Sequence, residues 1–218
     1  MRTPLRSIGL DLDNTLIDYA PAFPHIASLL GISGPATRER LRATLRGQDD
    51  EAWQEFQALL YTEGLEQAVP AQDSVAFLQA AFDAQVELSI VSHKTVATPA
   101  RFGGRRLREP ALAWLQRHGI VADLVIEERV RFCATRDEKV DVIRSAGFDW
   151  FVDDLLEVLD HPRFPLATRG WWYRPRPQDP DATADPQYEH ERDAPSGRSA
   201  PADFADLLTH LRSERAAC

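Results

Sequence analysis

The sequence predicts an α/β fold: an open, parallel, Rossmann-like sheet flanked by helices, with a small helical cap inserted after the first strand. Three observations carry that prediction. Short apolar runs alternate along the chain with amphipathic helical stretches, the pattern of strand–helix units. The first run, SIGLDLDNTL at 7–16, ends in two carboxylates one residue apart, Asp11 and Asp13, where Asn14 and Thr15 turn the chain out of the strand. A later run, WFVDD at 150–154, repeats the theme with Asp153 and Asp154. The C-terminal strand ends of a parallel sheet share one edge, so these carboxylates are expected in one crevice.

After Leu16 the periodicity turns helical for about fifty residues. Residues 21–30 place Phe23, Ile26, Ala27 and Leu30 on one helix face, and 31–35 break it. Thr37 starts a second helix reaching Leu45, and Asp49 or Asp50 caps a third carrying Trp53, Phe56, Leu59 and Leu60. The stripe Trp53, Phe56, Leu60 has the spacing of a core face, with a pocket lining as the alternative. Residues 64–70 form the return linker, Asp73 caps a helix through Phe82, and 86–92 make a second buried strand ending in Ser92. An Arg- and Gly-rich loop follows, then a helix over 107–118 stopped by Gly119. A short strand is expected over 130–133, and Thr135 or Asp137 caps a helix ending at Gly147. After WFVDD a last short strand is expected around 165–168, followed by the cluster Trp171, Trp172, Tyr173.

The resulting organisation is a catalytic core over 1–17 and 71–175 and a helical cap over 18–70. Residues 176–202, rich in Pro, Asp and Arg with almost no aliphatics, are expected as a mobile polar loop. Residues 203–218 form a C-terminal helix that docks on the core through Phe204, Leu207, Leu208 and Leu211.

With 218 residues, 44% hydrophobic and 27% charged, the chain has the composition of a soluble globular protein. No apolar run approaches membrane-spanning length, so no membrane association is expected. The first strand begins within a few residues of Met1, which leaves no room for a signal peptide and gives a cytoplasmic expectation. A formal net charge of −9 argues against a nucleic-acid surface, which needs a basic face. Cys133 and Cys218 read as a buried small hydrophobe and a tail thiol, with no disulfide framework or zinc spacing. Of 25 basic residues only two are lysines, Lys94 and Lys139. A compact ammonium was kept at just those two places.

Strand alternation would send Asp11 and Asp13 to the same side. Two acids that close repel as anions unless a cation shares them or one keeps its proton, which points to metal-assisted acid/base chemistry. The alternative is that Asp13 and Asn14 are turn or cap residues. In chain order the features are Asp11 with Asp13, Ser92, Lys139, and Asp153 with Asp154.

That ordered set resembles the haloacid dehalogenase superfamily across roughly residues 5 to 170. Asp11-Leu-Asp-Asn-Thr matches its first motif, Ile90-Val-Ser92 the second, Lys139 the third and Phe151-Val-Asp-Asp154 the fourth. The resemblance implies a capped, Mg2+-dependent phosphatase in which Asp11 is the nucleophile that forms an aspartyl-phosphate. Asp13 would protonate the leaving alcohol and then activate water. Magnesium would be held by the Asp11 carboxylate, the Asp13 backbone carbonyl and Asp154, with Asp153 behind it or exchanging that role. Ser92 and Lys139 would hold the phosphoryl oxygens, with Asn14, His93 and Lys94 as further phosphate or substrate contacts. A cap suits a small phosphorylated metabolite, and the loop at 101–108 adds a sugar phosphate as one candidate, because guanidinium forks suit anions. A phosphomutase or other phosphotransferase of the same superfamily, and a non-catalytic binding or regulatory module on the same fold, are the alternatives. An acid at position 13 disfavours a dehalogenase, and the absence of lysine from the insertion disfavours a phosphonate-cleaving relative.

Overall fold

The computed structural model describes residues 4–34, 36–46, 50–174 and 202–216. The expected mobile loop lies outside them except for Ala202, as does Cys218. Strand β1 (Ser7–Leu10) alternates strictly: Ile8 and Leu10 are fully buried on one face, and Gly9 faces the other. The chain then makes a two-residue antiparallel ribbon, β2 (Ile17–Asp18) against β3 (Val69–Pro70), pairing Ile17 with Pro70 and Asp18 with Val69. Everything between these strands is an insertion that leaves and re-enters the sheet through this neck.

Three helices fill the insertion: α1 (Phe23–Leu29), α2 (Arg38–Arg46) and α3 (Asp50–Leu60). Their buried residues, Phe23, Ile26, Leu41, Leu45, Phe56 and Leu60, belong to the same apolar cluster as Ile8 and Leu10 of the sheet. The insertion therefore has no separate core of its own among the described residues. Phe56 packs 6.2 Å from Phe23, and Trp53, only partly buried, stacks on it at 5.2 Å. The aromatic stripe is packing, as its spacing predicts.

After β3 come α4 (Ser74–Asp83), β4 (Glu87–His93), α5 (Arg108–Arg117), β5 (Val130–Cys133), α6 (Arg136–Ala146), β6 (Trp150–Asp153), α7 (Leu156–Leu159) and β7 (Arg169–Trp172). The five long strands form one parallel sheet in the order β5-β4-β1-β6-β7. The chain winds outward from β1 to β5 and then returns to place β6 on the other side of β1. The carboxyl end of β1 is thus the switch point of the sheet, where open α/β folds form their crevice. Helices α4, α5 and α8 (Phe204–Ala216) cover one face, contributing Phe77, Trp114 and Phe204 to the larger cluster. Helices α6 and α7 cover the other, where Val140, Ile143 and Val158 pack with Phe148 and Phe151. Phe204 seats the C-terminal helix, with its ring 5.5 Å from Phe77 and 4.9 Å from Tyr173.

The last strand differs from expectation. Residues 165–168 form a turn in which Thr168 N–H donates to the Pro165 carbonyl at 3.1 Å, and the strand is Arg169–Trp172. Proline offers no N–H to a ladder, whereas Gly170, Trp171 and Trp172 pair with Phe151, Val152 and Asp153. Ile120–Val125 is a turn, with Ala122 at φ 81°.

Gly9 is required by close approach. A Cβ there would lie 2.6 Å from the Phe151 ring and 2.7 Å from Phe148. Gly9→Ala is expected to destabilise the fold by about 1–3 kcal/mol through overpacking. Urea unfolding checks this: the midpoint falls at unchanged slope.

Candidate active site

The register sets the site. Leu10 pairs with Val152, and Asp11 N–H donates to the Val152 carbonyl at 2.9 Å, so Asp11 stands level with Asp153 on the neighbouring strand. Strand pairing of β1 ends at Leu10, and Asp13 is placed by the following turn, not by strand alternation as expected. The Leu12 carbonyl accepts from the N–H groups of Leu16 and Ile17, both at 2.9 Å, and Asn14 takes the left-handed position of the turn at φ 62°. Asparagine tolerates that conformation. Asn14 is accounted for by this backbone role.

Lys139 comes from the first turn of α6. Thr135 caps that helix, its Oγ1 accepting from Glu138 N–H at 3.1 Å, while the Glu138 carboxylate accepts from Ala134 N–H at 2.7 Å. This reciprocal cap holds the helix start against the sheet edge. Lys139 is 1% exposed, and its Nζ lies 2.5 Å from Asp11 Oδ1 and 2.6 Å from Asp153 Oδ2. The second contact is an ion pair off the hydrogen-bond line, and Asp153 Oδ1 accepts from Leu155 N–H at 3.0 Å. Burial pushes the Asp11 carboxyl up to about 7; Lys139 opposes the shift, and Asp153 and Asp13 add to it. Burial works against the charge on Lys139, but Asp11 and Asp153 outweigh it and hold the ammonium above its ordinary range.

Asp13 has a second set of partners. Lys94 Nζ lies 3.0 Å from its Oδ1 and 2.8 Å from its Oδ2, and Tyr19 Oη donates to Oδ1 at 2.7 Å. Lys94 Nζ also sits 4.7 Å from the centre of the Tyr61 ring, which meets Tyr19 edge-on at 5.5 Å. Burial raises the Tyr19 phenol well above its usual value, and Asp13 adds to that, so the hydroxyl remains a donor. Tyr19 and Tyr61 were not legible as site residues. Their partner Lys94 was the available signal, as one of two lysines in the chain.

Ser92 is 1% exposed and its Oγ has no hydrogen-bond partner among the described residues, as is true of Thr15 Oγ1. A buried, unpaired hydroxyl costs free energy unless a ligand takes it up. His93 donates through Nε2 to the Ala134 carbonyl at 3.2 Å. Its ring is thereby tied to the loop that precedes α6.

Arginines of the loop at 101–108 meet acidic side chains of the protein itself. Arg101 meets Glu51 at 3.3 Å and Gln54, both on α3, and Arg105 pairs with Glu63 of the insertion. Arg106 pairs with Glu109. Arg101 and Arg105 tie the loop after β4 to the insertion, whereas the Arg106 pair stays between the loop and α5.

Asp11, Asp153 and Asp154 form a group whose carboxylate oxygens lie within 4.8 Å of one another. Both Asp153 oxygens are engaged by Lys139 and Leu155, while Asp154 is only partly buried. An all-oxygen, anionic donor set fits a hard divalent cation such as Mg2+. The raised Asp11 carboxyl fits it too, because a cation would favour its ionised form.

Since the folded protein binds the Asp11 proton more tightly than the unfolded chain, this group favours folding below pH 3.8 and that contribution is lost as pH rises through about 7. In a chelator, Asp11→Asn is therefore expected to be more stable than the wild type at pH 8, by on the order of a few kcal/mol, and so to melt higher, with the gain vanishing near pH 4. Calorimetry across pH checks the sign. Added Mg2+ should raise the wild-type midpoint and reverse the order.

No protein-family model matches the chain, and no curated protein matches it. Among solved structures, a HAD family hydrolase from Deinococcus radiodurans R1 with bound phosphate and sodium superposes with a TM-score of 0.58 at 14% identity, covering 98% of each chain. Protein tyrosine kinase A (PtkA) of Mycobacterium tuberculosis gives 0.58 at 18%, covering 96% of this chain and 99% of that one. The defluorinating L-2-haloacid dehalogenase Rha0230 gives 0.51 at 15%, covering 95% of each. The chain shares the fold of haloacid dehalogenase superfamily hydrolases, on which proteins named hydrolase, kinase and dehalogenase are all built.

Proposed function

We propose that the protein is a Mg2+-dependent phosphatase that hydrolyses a small phosphomonoester through an aspartyl-phosphate at Asp11. The observation that carries this reading is the convergence of Asp11, Asp153 and the buried Lys139, with Asp13 two residues from the nucleophile and the unpaired Ser92 hydroxyl at the end of the adjacent strand. A carboxylate nucleophile splits a hard displacement into two easier ones. Lys139 holds Asp11 in place and places positive charge where negative charge develops. Ser92 supplies a donor for a phosphoryl oxygen. Asp13 serves the leaving oxygen and then the attacking water.

Asp11, Asp154 and the Asp13 main-chain carbonyl would hold Mg2+, with Asp153 behind them. When bound, the ion offsets charge on the nucleophile and the transferring group. This favours phosphoryl transfer over displacement of a halide from carbon, which has no use for a divalent cation beside the nucleophile. The insertion lies over the carboxyl end of the sheet and is tied there by Arg101 and Arg105. A covered crevice suits a small soluble substrate.

Turnover of p-nitrophenyl phosphate with Mg2+ should be lost in Asp11→Asn and in chelator. Asp13→Asn should lower the rate by about 10²–10⁴-fold. Beryllium fluoride with Mg2+ should raise the melting temperature of the wild type and not of Asp11→Asn. Undiminished turnover by Asp11→Asn would exclude the covalent route. No turnover and no thermal shift would leave the binding-module alternative standing.

A further inference from the structure

Asp13 is held asymmetrically. Its Oδ1 takes two donors, Tyr19 Oη at 2.7 Å and Lys94 Nζ at 3.0 Å, whereas Oδ2 meets only Lys94, at 2.8 Å. Both donors are buried, Tyr19 at 1% and Lys94 at 4% exposure. They reach Asp13 from different parts of the fold: Tyr19 follows the neck strand β2, and Lys94 follows β4. The Lys94 backbone is pinned on both sides, its N–H donating to the Cys133 carbonyl at 2.9 Å and its carbonyl accepting from Arg108 Nε at 3.0 Å. The Tyr61 ring closes the remaining side of the ammonium. Lys94 is thus an arm with a fixed base and a fixed tip, and its tip sets the carboxylate plane of Asp13.

We propose that Tyr19 and Lys94 are positioning residues for Asp13, anchoring its Oδ1 so that Oδ2 is the oxygen that exchanges a proton with the leaving alcohol. This rests on the phosphatase reading. In the first half-reaction an Asp11 carboxylate oxygen bonds to phosphorus. The ester P–O bond breaks with its electron pair passing to the alcohol oxygen, and the proton on Asp13 Oδ2 moves to that oxygen. In the second, a water oxygen bonds to phosphorus, its proton returns to Asp13 Oδ2, and the bond from Asp11 to phosphorus breaks to restore the carboxylate and release phosphate. A carboxyl free to rotate would present the proton along the wrong direction for part of the time. The cost falls on leaving groups that cannot depart unprotonated.

That consequence separates positioning from mere support of the fold. The value of kcat/KM for aryl phosphates reports steps through departure of the phenol, so its dependence on phenol acidity reads how much proton donation contributes. The measurement is kcat/KM with Mg2+ for p-nitrophenyl, p-chlorophenyl and phenyl phosphate, in wild type, Asp13→Asn, Tyr19→Phe and Lys94→Met, each checked for folding by circular dichroism. Asp13→Asn should steepen the dependence most. Tyr19→Phe and Lys94→Met should steepen it in the same direction, with losses about tenfold larger for phenyl than for p-nitrophenyl phosphate. A uniform loss, or none, across the series in folded Tyr19→Phe, while Asp13→Asn steepens it, would overturn the proposal and leave the phosphatase reading intact. Tyr19→Phe removes a single oxygen and decides the matter if Lys94→Met does not fold. A wild type that turns over none of the three esters and gains no thermal stability from beryllium fluoride with Mg2+ would overturn both.

Discussion

The ammonium of Lys139, buried between Asp11 and Asp153, is the constraint on which the rest of the structure depends. Desolvating an ammonium and two carboxylates costs several kcal/mol per ion, and the mutual attraction offsets this only when the geometry is good. Good geometry here needs three elements at once. Strands β1 and β6 must be paired in the register that sets Asp11 level with Asp153, and α6 must begin where Thr135 and Glu138 cap it, so that Lys139 emerges in the first turn. A slip of one residue in either strand would turn a carboxylate into the apolar face, where Leu10 and Val152 now lie. Gly9 serves the same register by letting β1 approach Phe148 and Phe151.

Lys94 and Asp13 form a parallel arrangement on the side of the insertion. Here the partners span the junction between sheet and helical module. Tyr19 belongs to the neck, Tyr61 follows α3, and Trp114 of α5 donates through Nε1 to the Ala68 carbonyl at 3.1 Å beside the returning strand. The surface pairs made by Arg101 and Arg105 add little to stability individually, about 1 kcal/mol or less each. Their contribution is alignment: they connect the loop that carries Lys94 to the helices that carry the aromatic wall. The continuous apolar cluster from Ile8 to Phe56 supplies the stability.

Much of this was legible in the sequence because it is local. An apolar run ending in paired acids reads as a strand end whatever its partners, and Thr135 three residues before Glu138 reads as a helix start. The parallel order of strands then brings such ends to one edge without any knowledge of side-chain contacts. What stayed hidden was pairwise and distant. Lys94 and Asp13 are 81 positions apart, and nothing in either segment announces the other. Nothing in its own segment singles out Tyr19, and its partner Asp13 is reached only through the turn at 12–17. The arginines of the loop at 101–108 carry the chemistry of anion binding, and only the fold shows that Glu51 and Glu63 supply the anions. The misplaced last strand has a more ordinary cause, since single-sequence propensity weighed Leu166 and Thr168 without the ladder that Trp171 and Trp172 complete.

Neighbours of this fold include proteins named for different reactions, so the fold alone does not choose the chemistry. The charge inventory of the crevice narrows the choice. Asp11, Asp153 and Asp154 bring carboxylate oxygens within 4.8 Å of one another, with Asp11 and Asp153 on Lys139 and Asp13 on Lys94. Burial, and after it the neighbouring Asp153 and Asp13, push the Asp11 carboxyl up to about 7 against the pull of Lys139. A divalent cation shared by these carboxylates would favour their ionised forms. On the phosphatase reading such a cation would leave Asp11 ionised for attack, while Lys94 and Tyr19 hold Asp13 through contacts of its own. Two acids one residue apart have different partners, a lysine from α6 for Asp11 and a lysine and a tyrosine from the junction with the insertion for Asp13, and on the proposed reading that difference is what separates nucleophile from acid.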